Sequence, residues 1–370
     1  MSLESTQTSR SFWSAWHAGR IVVLAVLIVL VGSRIPLPGL DTAALAAQSV
    51  YSDSSWSARY SIVTLGVLPI LTVLAYVEIL SLFIPAVGAW QAASAKNASG
   101  TRWIVTLLIL AVSAAQGYAV FFTLSTIGAI ETGTVSVGLC VLSVVAVTAV
   151  LIWVSDMIRF PGLENGLWWL IAIFSFYTLP DALTNVFETV STSLSPLVAW
   201  VVSGLVFVIG IATGGWLLVV ARRRLRDKVF SGRPHSCLSW SVLLWPPFLV
   251  GIVASHFMSL AFRRYPEMLS RSPWGWDAMM LVSTIILLPI FVFGYLRHGL
   301  AGRPEAEVKT CMRTVLPVVA GAQIFICAGF HLVNQLFAVS LFPDGATFIV
   351  VVCITLAVLD VRAKRAFPEK

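Results

Sequence analysis

Ser61-Ile62-Val63-Thr64-Leu65-Gly66-Val67-Leu68-Pro69-Ile70-Leu71 opens an apolar run, 60–84, that holds one charged residue, Glu78. A run this long and this apolar reads as a membrane span. About 20 residues of helix cross the roughly 30 Å hydrocarbon layer, and a helix pairs its own backbone N–H and C=O groups where no water is available. Working outward, nine more runs bounded by Pro, Gly or charge complete a set of ten segments: 19–35, 60–84, 103–127, 134–154, 166–187, 196–220, 238–261, 278–296, 314–339 and 346–360.

Composition excludes a soluble protein. Of 370 residues, 58% are hydrophobic and 11% charged, where soluble domains run near about 45–50% and about 25%; the mean hydropathy is +0.91. Ten spans leave only short loops and ends, with no room for a soluble domain. The net charge of +7 fits basic residues gathered in cytoplasmic loops, so no nucleic-acid partner is expected. The five cysteines, Cys140, Cys237, Cys311, Cys327 and Cys353, form no C-x-x-C pair, and neither a disulfide framework nor a zinc site is expected. Arg10 and Arg20 before Ile21 to Val31, with Ala44-Leu45-Ala46 beyond, mimic a secretory signal. Pro36 and Pro38 put that cleavage-like triplet too far from the apolar run, and a retained first span is the preferred reading.

Of the 24 Lys and Arg residues, 19 fall on the side of the N-terminus and 5 on the other. Basic residues resist crossing an energised membrane, so both termini are expected in the cytoplasm. Five segments per half, 1–187 and 188–370, make the second half inverted relative to the first if the halves are repeats. Gly66 and Pro69 in the second segment match Pro246-Pro247 in the seventh. Interrupted helices at matching places often line a substrate path, although proline is common in membrane helices and coincidence explains the match equally well.

Charged groups in hydrocarbon are expensive and therefore informative. Glu78 reads as a structural polar contact or as a proton carrier. Asp156 and Arg159 are spaced for an i,i+3 pair anchoring the fourth segment at the interface. His331, Asn334 and Gln335 share one face of the ninth segment, as packing contacts or as the wall of a wet cavity. His256 stands near the outer end of the seventh. Nothing has metal-ligand spacing, and no Ser-His-Asp order, phosphate loop or paired acidic motif occurs, so the chain reads as no enzyme, with no catalytic residue, metal or cofactor. Arg222-Arg223-Arg224-Leu225-Arg226-Asp227-Lys228 is the densest charge run; it reads as an anchor on anionic lipid or as a docking surface for a cytosolic partner.

Four blocks, in order, resemble the SecY family, the channel subunit of the bacterial protein translocase. Gly32-Ser33-Arg34-Ile35-Pro36-Leu37-Pro38-Gly39-Leu40-Asp41 resembles its I-P-x-P-G-x-D motif, and Ser61 to Leu71 its S-I-x-x-L-G-x-x-P signature. Gly162-Leu163-Glu164-Asn165-Gly166-Leu167 resembles the G-I-G-N-G-I start of its fifth helix. Gly345-Ala346-Thr347 and the run ending at Asp360 are similar to its tenth helix. The resemblance implies an all-α polytopic membrane protein, with ten transmembrane helices in two inverted five-helix halves forming a clamshell. It further implies a lateral gate where helices two and three meet seven and eight. It also implies a pore ring of aliphatic side chains: Val67, Leu71, Leu167 and Ile171 by motif, Phe248 or Leu249 from the seventh helix, and a residue near Val351 from the tenth. Such a neck obstructs water and ions, which must shed hydration to pass.

The sequence departs from the family pattern in several places. The stretch 42–65 is short, so the family's plug helix is expected to be reduced or absent. The loops at about 221–237 and about 297–313 are short, so ribosome or motor-ATPase docking is not expected. Glu78 stands where the family commonly has Gln, and Trp168-Trp169 where it has smaller residues.

The resulting reading is a compact channel in a bacterial cytoplasmic membrane that translocates or inserts a restricted set of polypeptides. Signal sequences or transmembrane segments are its cargo, and a small SecE-like subunit and anionic lipid are its partners. Arg222, Arg223, Arg224, Arg226, Arg303 and Lys309 would contact cargo or partner from the cytosolic loops. The alternatives are a non-conducting SecY-like insertase, chaperone or assembly partner, and a secondary transporter of a small solute.

Overall fold

The computed structural model describes residues 19–41, 60–130, 134–158, 166–178, 240–264, 275–300, 304–337 and 345–366. Among them are ten helices: α1 (Gly19–Gly32), α2 (Leu68–Phe83), α3 (Pro85–Ala92), α4 (Ala95–Thr126), α5 (Thr134–Met157), α6 (Leu167–Thr178), α7 (Trp240–Arg264), α8 (Gly275–Gly299), α9 (Glu305–Phe337) and α10 (Gly345–Ala366). Nine fall on expected segments. The expected sixth segment, 196–220, and the stretch Thr42 to Arg59 lie outside the described residues. Five helices hold stretches long and apolar enough to cross a membrane: Ala95–Thr126, Ser136–Met157, Trp240–Ala261, Ala278–Gly299 and Val308–His331.

Three expected boundaries are corrected. The second segment becomes helical at Leu68, not at residue 60. Residues 60–67 form a chain of tight turns instead, with Thr64 N donating to Ser61 O, Gly66 N to Val63 O and Leu68 N to Leu65 O at 2.8–3.0 Å. Gly66, at φ +49°, takes a left-handed conformation that a right-handed helix excludes. The third segment starts at Ala95, eight residues early, because Ser94 caps it by accepting from Asn97 N at 3.1 Å. The ninth starts at Glu305, because Pro304 O accepts from Val308 N at 3.1 Å and Lys309 pairs with Glu305 one turn back. The connection between α8 and α9 is therefore residues 300–304, far shorter than the expected loop of about 17 residues. In both early starts, polar residues that suggested loop belong to helix extending past the hydrocarbon. At about 1.5 Å per residue, the 32 residues of α4 are about 48 Å long.

The short α3 was not expected. Pro85 has no N–H to continue α2, and it suits the first position of a new helix. Asn97 Nδ2 donates to Trp90 O at 3.0 Å and ties the end of α3 to the start of α4.

The chain divides into two compact units. One comprises residues up to Glu78 together with Ala86–Tyr177; the other comprises Ile79–Pro85 and Thr178–Lys370. In the first, Leu37 N donates to Tyr60 O and Ile62 N to Ile35 O, both at 3.0 Å, and Asp41 N donates to Ala129 O at 2.9 Å. The Ile35 to Asp41 motif is thereby bridged to the turns before α2 on one side and to the end of α4 on the other. Leu37, Phe121, Leu124, Ala129, Ile130, Cys140 and Val144 fill the core beneath it. Helices α4 and α5 pack closely at Gly117, where an added Cβ would lie 3.4 Å from Val144, and they share a buried hydrogen bond between Ser113 and Thr148 at 2.8 Å. In the second unit α8 packs on α7 and α9, and α10 packs on both α7 and α9.

Candidate functional site

The expected ring residues fall in both units. In the first, the turns of 61–67 carry Val67 to the threshold of α2, and Leu71 N, donating to Val67 O at 2.9 Å, starts the helical ladder. Pro69 lies in the first turn, where its missing N–H would have no intrahelical partner. Val67 is buried and Leu71 half-buried. The left-handed turn at Gly66 seats the backbone against α6, where an added Cβ would stand 2.8 Å from Phe174 Cε1. Leu167 and Ile171 on α6 are buried, as is Trp168, with Trp169 half-buried. Gly166 permits this helix start to press on the end of α5, since a Cβ would collide with Ser155 O and lie 2.9 Å from Ile158 Cβ. Val67, Leu167 and Ile171 are thus fixed by two glycine contacts.

In the second unit, Phe248 and Leu249 are both buried and follow directly on Pro246-Pro247, which lie within a continuous α7. Val351 is half-buried on α10, its carbonyl accepting from Thr355 Oγ1 at 2.9 Å. The start of α10 is clamped to α9 at Gly345, where a Cβ would be 2.6 Å from Cys327 Cα, and by Phe330 against Phe348, ring centroids 4.7 Å apart.

Of the expected cytosolic contacts, Arg222, Arg223, Arg224, Arg226 and Arg303 lie outside the described residues. Lys309 is corrected from loop to helix, exposed and 3.0 Å from Glu305. Asp156 pairs at 3.0 Å with Arg102 of α4; its expected i,i+3 partner Arg159 lies outside the described residues. Glu78 and His331 are half-buried, and His256 Nδ1 is 2.7 Å from Ile252 O of its own helix. Among the described residues no three His, Cys, Asp or Glu side chains gather as ligands would.

Sequence reasoning missed Gln323. It is fully buried on α9, and its Nε2 donates to Leu243 O at 2.8 Å and Val242 O at 3.2 Å. The signal was present in Pro246-Pro247, which leave two α7 carbonyls in need of donors.

The family model for SecY matches residues 61–296, which include both the turn before α2 and the proline pair of α7. This chain belongs to the SecY family. Among its relatives, the SecY subunit of the protein translocase of Rickettsia typhi is 24% identical over 399 residues, covering 90% of this chain and 89% of that protein. The SecY subunit of Buchnera aphidicola subsp. Baizongia pistaciae is 26% identical over 188 residues, 46% of this chain and 42% of that protein, so this match spans less than half of the relative's length. In structure, the SecY family member is similar to a SecY protein solved in a study of its plug domain, with a TM-score of 0.59 and 13% identity. That similarity covers 94% of this chain and 91% of the other. It is also similar to Sec61 of the canine ribosome-channel complex, with a TM-score of 0.57, 13% identity and the same coverage. The SecY fold is therefore that of a multi-pass, all-helical membrane protein.

Proposed function

We propose that this SecY-family chain is a protein-conducting channel subunit that translocates or inserts a restricted set of polypeptides at the bacterial cytoplasmic membrane. The observation that carries the reading is the likeness of fold to SecY and Sec61 over 94% of the chain. Its ring consists of Val67, Leu71, Leu167 and Ile171 from the N-terminal half, 1–187, and Phe248 or Leu249 with Val351 from the C-terminal half, 188–370. All these side chains are apolar, so an idle neck holds no hydrogen-bonded file of water, while a passing polypeptide displaces them. The division into compact units supports the two halves in the main, with its principal boundary at Tyr177 and Thr178 and with Ile79–Pro85 grouped with the second unit. The 19 basic residues on one side support cytoplasmic termini. The partners are a signal sequence or transmembrane segment as cargo, a small SecE-like subunit, and anionic lipid at Arg222, Arg223, Arg224 and Arg226.

A photoreactive residue at Leu71 or Leu167, tested in cells, decides the matter. Adducts with secretory or membrane-protein segments, identified by mass spectrometry, are expected. Adducts only from α2 and α7 positions outside the ring, or none from folded and abundant protein, would overturn conduction. The rival, a non-conducting SecY-like insertase, chaperone or assembly partner, is favoured by one observation: only five residues, 300–304, separate α8 from α9, so no long loop links them.

A further inference from the structure

In an α-helix the N–H of residue i donates to the C=O of residue i−4. Proline has no N–H, so Pro246 and Pro247 deprive two carbonyls of their ladder partners, those of Val242 and Leu243. These are the two carbonyls that Gln323 Nε2 reaches from α9, across 81 and 80 positions of sequence. One amide thus takes the place of two missing backbone donors. It does so where water is scarce, since Gln323 is 0% exposed and Val242 and Leu243 are also buried. Its Oε1 meets no donor among the described residues, so what the site uses is the NH2 group.

We infer that Gln323 is a positioning residue: its amide holds the proline-interrupted α7 in one conformation and thereby fixes Phe248 and Leu249, the next two residues. Without it, two buried carbonyls lose the donor that Gln323 supplies, and α7 is free to bend at the proline pair and carry the following side chains elsewhere. The consequence for the ring rests on the channel reading; the consequence for α7 does not.

The test is a rescue cycle on the full chain in detergent micelles, comparing the parent, Gln323→Leu, the pair Pro246→Ala with Pro247→Ala, and all three changes together. Gln323→Leu should lower the unfolding midpoint by about 5 °C and speed amide exchange severalfold in α7 peptides around Phe248. In the alanine background new N–H groups serve Val242 and Leu243, so the same change should have less than half that effect on both readouts. Equal losses in the two backgrounds, or faster exchange confined to α9, would overturn the inference. If Gln323→Leu alone does not accumulate, recovery of folded protein by the alanine pair supports it and failure to recover overturns it. None of these readouts involves transport, so they are independent of the crosslink that decides the channel reading.

Discussion

The ring edge of Phe174 occupies the space into which a side chain on Gly66 would grow, with Cε1 2.8 Å from where its Cβ would be. Gly66 also has φ +49°, so an L residue there is strained whatever the space available. Gly66→Ala should therefore cost about 2 kcal/mol, about half from the backbone and the rest from moving the ring. Thermal unfolding in detergent measures it. Adding Phe174→Leu should recover only the steric part; complete recovery would show that the left-handed turn carries no cost.

The buried pair Ser113 and Thr148 predicts an asymmetry. Thr148 Oγ1 donates to Val144 O at 2.9 Å, so the proton in the 2.8 Å contact comes from Ser113. Ser113→Ala removes a donor from a hydroxyl that stays paired and should cost about 0.6 kcal/mol. Thr148→Val strands the Ser113 hydroxyl between two helices and should cost about 1.5 kcal/mol. Equal losses would mean that Ser113 finds another acceptor.

The difference between what the sequence showed and what it hid lies in which groups carry the signal. Apolar length identifies a span regardless of neighbours, so nine segments were legible. Helix ends were not, because α4 and α9 continue into water, where Lys96, Asn97, Glu305 and Lys309 resemble loop residues. The turns at 61–67 were hidden for the opposite reason: a run of Ile, Val and Leu is equally apolar in a helix or in turns, and only Gly66 marks the change. The proposed ring rests on family resemblance alone, since with 58% hydrophobic residues an apolar side chain at any membrane position carries no signal. Gln323 stayed hidden because its partners are backbone carbonyls, which leave no side-chain motif.

Arg102 and Asp156 link the cytoplasmic ends of α4 and α5 in the proposed orientation, at 3.0 Å but with side chains 67% and 51% exposed. Exposure limits such a pair to on the order of 0.5 kcal/mol, screened further by salt. Asp156→Asn should thus shift the unfolding midpoint measurably in low salt and hardly at all in high salt. A large loss independent of salt would mean that the pair is sealed from solvent.

Gly345 poses a harder packing constraint than Gly66, because its obstacle is backbone. A Cβ would lie 2.6 Å from Cys327 Cα and 3.2 Å from Cys327 N, and neither atom can move aside by a rotamer change. Gly345→Ala must therefore separate the start of α10 from α9 and loosen Phe348 from Phe330, now 4.7 Å apart. Lost packing and aromatic contact together should cost about 3 kcal/mol, more than Gly66→Ala although the backbone at Gly345 needs no left-handed conformation. Unfolding of the two variants side by side measures the order. Because Val351 follows on α10, Gly345→Ala should also weaken any polypeptide crosslink from position 351 while leaving those from Leu167 intact; equal weakening at both positions would point to general unfolding rather than displacement of α10.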